Sequence, residues 1–255
     1  MKSLLTILSV LTLTTITGNL NNTWHTTLQK NNISSNSIAA KTQQNTIYID
    51  ENGKQQTTSE HDLSKIKSSK IIQIGFYKNE NNEVQAVRMP ITVKTVPDQL
   101  PPAITSLKNM FTGAIFFNQD LSQWDTSNIK NMSFMFNGAT SFNGNITNWN
   151  VSYVTNMFVM FAYATSFNQD LSQWNVSNVK NFSLMFYFAK AFNQNIAIWN
   201  TTNATNMNFM FYFAKAFNQD LSHWNVKKVK EYDNFSTNSG IDNPNKLPKF
   251  KAKLK

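Results

Sequence analysis

Residues 117–136 read FNQDLSQWDTSNIKNMSFMF, and residues 167–186 read FNQDLSQWNVSNVKNFSLMF. The same frame recurs every 25 residues between and beyond them: Trp at 124, 149, 174, 199 and 224, and Phe at 117, 142, 167, 192 and 217, each Phe followed by Asn. Leu121, Ile146, Leu171, Ile196 and Leu221 keep the frame, as do Met135, Met160, Met185 and Met210 with a Phe after each, and Ala139, Ala164, Ala189 and Ala214. Residues 104–111 (ITSLKNMF) with Ala114 form a lead-in half-repeat, and Tyr232 and Phe235 hold the frame briefly past the last Trp.

A unit this short cannot bury its own apolar residues, so neighbouring units must stack and share a core. The period lies in the range of leucine-rich repeats. The spacing of Leu121, Trp124 and Thr126 predicts a short strand. Met132, Met135, Phe136 and Ala139 fall at i, i+3, i+4 and i+7 and predict a short helix. The expected fold is an α/β repeat solenoid, leucine-rich-repeat-like, with short strands, short helices and a small β-rich N-terminal region. The Trp, Met and Phe ladders read as core rather than as a cofactor box.

Composition narrows the rest. The 255 residues carry 23 Lys+Arg against 14 Asp+Glu, a net charge of +9, and 13% are aromatic, which argues against wholesale disorder. With no Cys, disulfides, thiolate metal sites, cysteine nucleophiles and a lipidated N-terminal Cys are excluded. Met1-Lys2-Ser3, the uncharged run Leu4–Ile16 and Thr17-Gly18 have the layout of a secretory signal over 1–18. An uncleaved N-terminal anchor and a buried N-terminal helix are the alternatives. Residues 19–46 read as a flexible spacer, 47–99 as a small β-rich region, 100–238 as the repeat array and 239–255 as a basic tail. Within 47–99, Ile47-Tyr48-Ile49 runs into a turn signal at Asp50–Gly53. Ile72, Ile74 and Phe76 alternate, residues 79–82 (NENN) break the run, and Val87 and Met89 alternate again, which predicts a β-hairpin.

Two polar ladders run through the array: the Asn after each Phe, and Asp125, Asn150, Asn175, Asn200 and Asn225 after each Trp. Asx side chains at such points bond local N–H groups in turns. Calcium is the rival reading, because Asp120, Asp170 and Asp220 recur. Asn145 and Asn195 stand between them, however, and put the carboxylates two units, about 10 Å, apart. No metal and no cofactor is expected. His25, His61 and His223 have no ligand-pair spacing, and neither a nucleophile elbow nor a phosphate-binding Gly loop is present. Asp120 and Asp125 could pair as hydrolase carboxylates only in a perturbing cleft, so no catalytic residue is expected. Residues 117–224 hold four Asp, four Lys and no Arg, which speaks against nucleic acid. The surplus charge lies in Lys227, Lys228 and Lys230 and in the tail, Lys246 to Lys255, where it could meet an anionic membrane surface.

Ligand specificity can be written only where repeats differ. There, Tyr163, Tyr187, Phe188, Tyr212 and Phe213, with Lys190 and Lys215, form an aromatic and basic stripe suited to recognising a protein or a sugar. The alternative is that these residues thicken the core between units.

The units at 117–136 and 167–186 resemble the repeat of BspA-like leucine-rich-repeat surface proteins of mycoplasmas. Residues 104–114 (ITSLKNMFTGA) resemble the entry into that family's array, and residues 71–97 (IIQIGFYKNENNEVQAVRMPITVKTVP) resemble the β-rich stretch before it. The resemblance covers about residues 65–240. It implies a secreted or membrane-anchored surface protein concerned with host or cell contact and antigenic variation, and it supplies no catalytic residue. The expected function is non-catalytic contact, at the cell surface or outside the cell, with a host or neighbouring-cell protein or glycan. A structural or antigenic coat protein without a specific ligand is the first alternative, and a carbohydrate-active enzyme on a β-solenoid the second.

Overall fold

Strand β1 (Thr46–Ile49) turns at Asp50–Gly53 into β2 (Gln55–Thr58), and β3 (Lys70–Gln73) adds to the other side of β1, giving an antiparallel sheet in the order β2-β1-β3. The Asp50 carboxylate builds the turn by accepting from the Asn52 and Lys54 amides, and Gly53 takes the left-handed φ of 76° that closes it. A second hairpin pairs β4 (Phe76–Lys78) with β5 (Val84–Ala86) around the residue 79–82 turn, where the sequence pattern places one. The side chain of Asn79 accepts from the amides of Asn81 and Glu83 there. These facts come from a computed structural model that describes residues 41–241 and 243–251. The signal segment 1–18, His25 and all but the last few residues of the spacer lie outside the described residues, as do residues 252–255 of the basic tail.

From β5 onward the backbone forms a ladder of single parallel bridges: Gln85 to Ser106, then Asn131, Asn156, Asn181, Asn206 and Glu231. Each rung lies beside its counterpart one repeat on. The hydrogen bonds between rungs alternate with local ones. The amides of Met132, Phe134, Phe136 and Gly138 donate to Asn156, Phe158, Met160 and Ala162 in the next repeat, whereas Met135, Asn137 and Ala139 donate three residues back within their own.

The expected α/β repeat solenoid is therefore corrected. Among the described residues there is no α-helix, the only helical piece is a 3₁₀ turn at Pro244–Lys246, and no strand occurs within the repeats. The physical reason is the alternation itself. A helix needs each amide to point at the carbonyl four residues back, but here every second amide points at the next repeat. Two left-handed residues per repeat turn the chain to allow this, at Phe134, Val159, Leu184 and Phe209 (φ 54° to 60°) and at Gly138, Tyr163, Phe188 and Phe213. The predicted strand is likewise a turn, since the Trp124 amide donates to the Leu121 carbonyl.

One continuous core joins the front sheets to the repeats, from Ile71 to Phe235. Like side chains lie on like. The indoles of Trp124 and Trp149, and of Trp149 and Trp174, stack with centroids 6.3 Å apart, and those of Trp199 and Trp224 at 6.1 Å. Within each repeat the two Phe columns meet closely, as in Phe136–Phe142 at 3.9 Å and Phe161–Phe167 at 4.0 Å. Burying each such ring contributes roughly 1.5–3 kcal/mol. Phe250 closes the far end, stacked on Tyr232 at 4.4 Å and edge-on to Phe235 at 5.1 Å.

Candidate functional site: an outward aromatic and lysine face

The polar ladders serve the backbone. Asp120, Asp170 and Asp220 each accept from the amide two residues on, as do Asn145 and Asn195 between them. Asp125 and Asn150 to Asn225 repeat the motif after each Trp. The Asn that follows each Phe spans repeats instead: the Asn143 amide donates to the Asn118 side chain, Asn168 to Asn143, Asn193 to Asn168 and Asn218 to Asn193.

Hydrogen bonds from Ser122, Ser127 and Ser222 hold the carboxyls of Asp120, Asp125 and Asp220 below the ordinary carboxylate value. Among the described residues no group of three or more His, Asp or Glu is placed to hold a metal ion. His61 stacks flat on Tyr77, centroids 3.6 Å apart, beside an open cleft at the front of the molecule, and His223 is exposed in the last full repeat.

The stripe that the variable positions pick out comes together on one outer face. None of its seven residues belongs to the buried core: Tyr163 is 46% exposed, Tyr187, Phe188, Tyr212 and Phe213 are half-buried, and Lys190 and Lys215 are exposed. The aromatic rings touch one another. Tyr187 stacks on Tyr212 at 5.3 Å and 9°, Phe188 on Phe213 at 4.7 Å and 5°, and Tyr163 on Phe188 at 5.3 Å and 22°. Tyr163 also meets Tyr187 edge-on at 5.3 Å. The Lys215 ammonium sits 4.9 Å from the centroid of Phe213, a cation–π distance. Burial among these rings, then the neighbouring Tyr163 and Tyr212 phenols, push the Tyr187 hydroxyl above its ordinary pKa.

The face is larger than the sequence pattern indicates. Phe209 joins it, meeting Tyr212 edge-on at 5.6 Å, while Phe134 and Phe158 make a separate edge-on pair at 5.0 Å, all four rings being half-buried. The signal was present: position 134 and its equivalents 159, 184 and 209 are apolar, yet fall outside the i, i+3, i+4 face of the helix that the spacing suggests.

These features define a class: a repeat protein whose recurring apolar positions fill a shared core and whose outward aromatic positions differ from unit to unit. Residues 99–190 and 146–247 both match the family described as "Mycoplasma protein of unknown function, DUF285". Together the matches span more than half of the 255 residues, and the chain belongs to that family. No curated protein and no solved structure matches it.

Proposed function

We propose that this is an exported surface protein that makes non-catalytic contact with a protein or glycan of a host or neighbouring cell through the Tyr163–Tyr187–Phe188–Tyr212–Phe213 face with Lys190 and Lys215. The kinship with BspA-like leucine-rich-repeat surface proteins forms part of the same proposal. One observation carries it: five aromatic side chains from three repeats gather outside the core, where apolar rings gain least for the fold. Rigid Tyr-rich patches with a basic flank suit recognition, because they offer a large contact area at small entropic cost.

Against the hydrolase alternative, a carboxylate pair needs one member raised so that it can act as the acid. Asp120 and Asp125 are both held low by turn bonds. Against a coat protein without a ligand, the five stripe aromatics fall in three consecutive repeats and touch one another.

Replacing Tyr187 and Tyr212 by Ser tests the reading. Loss of adhesion to cultured cells with an unchanged melting temperature supports a contact face. Unchanged adhesion favours the coat protein, and a large fall in melting temperature assigns the rings to the fold.

A further inference from the structure

The second left-handed position of each repeat forms a column: Gly113, Gly138, Tyr163, Phe188, Phe213 and Asn238. Glycine takes positive φ freely, whereas a side chain with a Cβ is strained there. The first two units use glycine, at φ 75° and 71°, while the next three hold bulky aromatic residues at 55° to 57°. The core does not require those rings, since all three lie outside it. Strain kept where the same fold elsewhere uses an unstrained residue points to a task on the surface.

The neighbours of the column complete the face. At the glycine end the backbone is open at Gly138, where a Cβ would meet nothing closer than the Gly113 Cα at 3.8 Å, while at Gly113 it would touch the Ile91 side chain at 3.5 Å. Beside Gly113 stand Ile91, Ile115 and Phe116, exposed by 42%, 42% and 55%, with the Lys94 ammonium 6.0 Å from the Phe116 centroid. The segments that supply the column, 109–116, 134–141, 159–166, 184–191 and 209–216, contain Lys190 and Lys215 and no Asp or Glu. The strip thus runs from an apolar end flanked by Lys94 and by the Arg88–Asp62 ion pair at Thr112, over a glycine floor, to an aromatic wall flanked by two lysines. Six rungs at the spacing of paired strands span about 24 Å, the length of roughly seven extended residues.

Resting on the contact reading above, we propose that this strip holds an extended, acidic segment of a partner polypeptide. Its backbone lies on the glycine floor, its apolar side chains meet Phe116 at one end and the Tyr and Phe rings at the other, and its carboxylates face Lys94, Lys190 and Lys215. A polypeptide is favoured over a sugar because sugars bind to open ring faces. Here the faces are largely taken up by ring-on-ring stacking along the column. A stacked ring offers its edge to what lies alongside the stack, and that edge, the positive end of the aromatic quadrupole, attracts carboxylates and carbonyls.

The test uses the full chain with a random glutamate–tyrosine copolymer as probe, beside heparin and polyglutamate. Three chains are compared: the unaltered one, a triple Tyr163→Gly, Phe188→Gly, Phe213→Gly variant, and a Lys190→Glu, Lys215→Glu variant. The expected result is copolymer binding that weakens with salt, falls at least tenfold in both variants, and exceeds polyglutamate binding. The triple-glycine variant is expected to melt within about 4 °C of the unaltered chain, because relief of strain offsets the lost ring contacts.

Absence of copolymer binding overturns the acidic-polypeptide assignment. Heparin binding that the same variants abolish, without copolymer binding, also overturns it, but leaves the contact face standing. Copolymer binding indifferent to both variants overturns strip and face together. A large fall in melting temperature on glycine substitution overturns the claim that the rings serve the surface, and the lysine variant then reads the charge element alone.

Discussion

The indole N–H of Trp149 donates to the carbonyl of Leu121 at 2.9 Å, across the boundary between one repeat and the one before it. Trp174 makes the same bond to Ile146, Trp199 to Leu171 and Trp224 to Ile196, and the first indole, Trp124, finds the Pro97 carbonyl instead. The indole therefore fixes the register between neighbours as well as filling the core. The Leu121 carbonyl also accepts from the Trp124 amide, so Trp149→Phe leaves it one of two partners. The expected cost is about 1 kcal/mol for Trp149→Phe and roughly 3–5 kcal/mol for Trp149→Ala, which also leaves a cavity. Urea titrations of the two variants check the difference.

That bond bears on what a sequence can tell. An unbroken period makes the core legible: Phe117, Leu121, Trp124, Met132, Met135, Phe136 and Ala139 are all buried. The backbone path is not legible, because three-residue turns and a helix bury residues at the same i, i+3, i+4 spacing. What separates them is a left-handed residue in mid-segment, and Phe134, Val159, Leu184 and Phe209 conceal it, since none is a residue type that announces positive φ. Gly113 and Gly138 hint at the second such position. The outer face is legible as a set of variable aromatics, but Phe209 on its flank is hidden by the helical assumption.

Position 144 sets sequence consensus against geometry. The equivalent residue is Gln at 119, 169, 194 and 219, so the repeat pattern favours Gln there. A Cβ on Gly144, however, would lie 1.9 Å from the Gln119 carbonyl oxygen. Without one, the chain comes close enough for the Asn145 carbonyl to accept from the Leu121 amide at 3.0 Å. Both Gly144→Ala and Gly144→Gln are expected to destabilise by about 1–3 kcal/mol, as overpacking does. A rise in the melting temperature of Gly144→Gln sinks the argument.

Acid should weaken the array in a defined window. The carboxyls of Asp120, Asp125 and Asp220 are depressed by turn hydrogen bonds, so the unfolded chain binds protons more readily than the folded one. Their contribution is present above the ordinary carboxylate value of about 3.9 and is lost as pH falls through the lower folded values. Asn serves the same turns at 145, 150 and 175. The triple variant Asp120→Asn, Asp125→Asn, Asp220→Asn should therefore fold normally and lose less stability between pH 5 and 2. A residual slope is expected from Asp50, held low by Gln56 and Lys54, and from Asp62, where bonds from Ser64 and Arg88 outweigh its partial burial. Thermal melts across that range, compared with the unaltered chain, give the answer.

The basic end offers a separate test of membrane contact. Lys227, Lys228, Lys230, Lys249 and Lys251 are exposed at the far end of the array. Each basic residue near an anionic bilayer contributes about 1 kcal/mol at moderate salt, and that attraction is screened within a Debye length. The chain should co-sediment with phosphatidylserine vesicles at low salt, detach at high salt and ignore purely zwitterionic vesicles. Lys249→Glu with Lys251→Glu should weaken the association without moving the melting temperature, because neither side chain is buried. The Tyr187→Ser, Tyr212→Ser variant should bind vesicles like the unaltered chain, since neither substitution removes a positive charge. Vesicle binding that persists in high salt, or that depends on Tyr187, rules out an electrostatic role for this end.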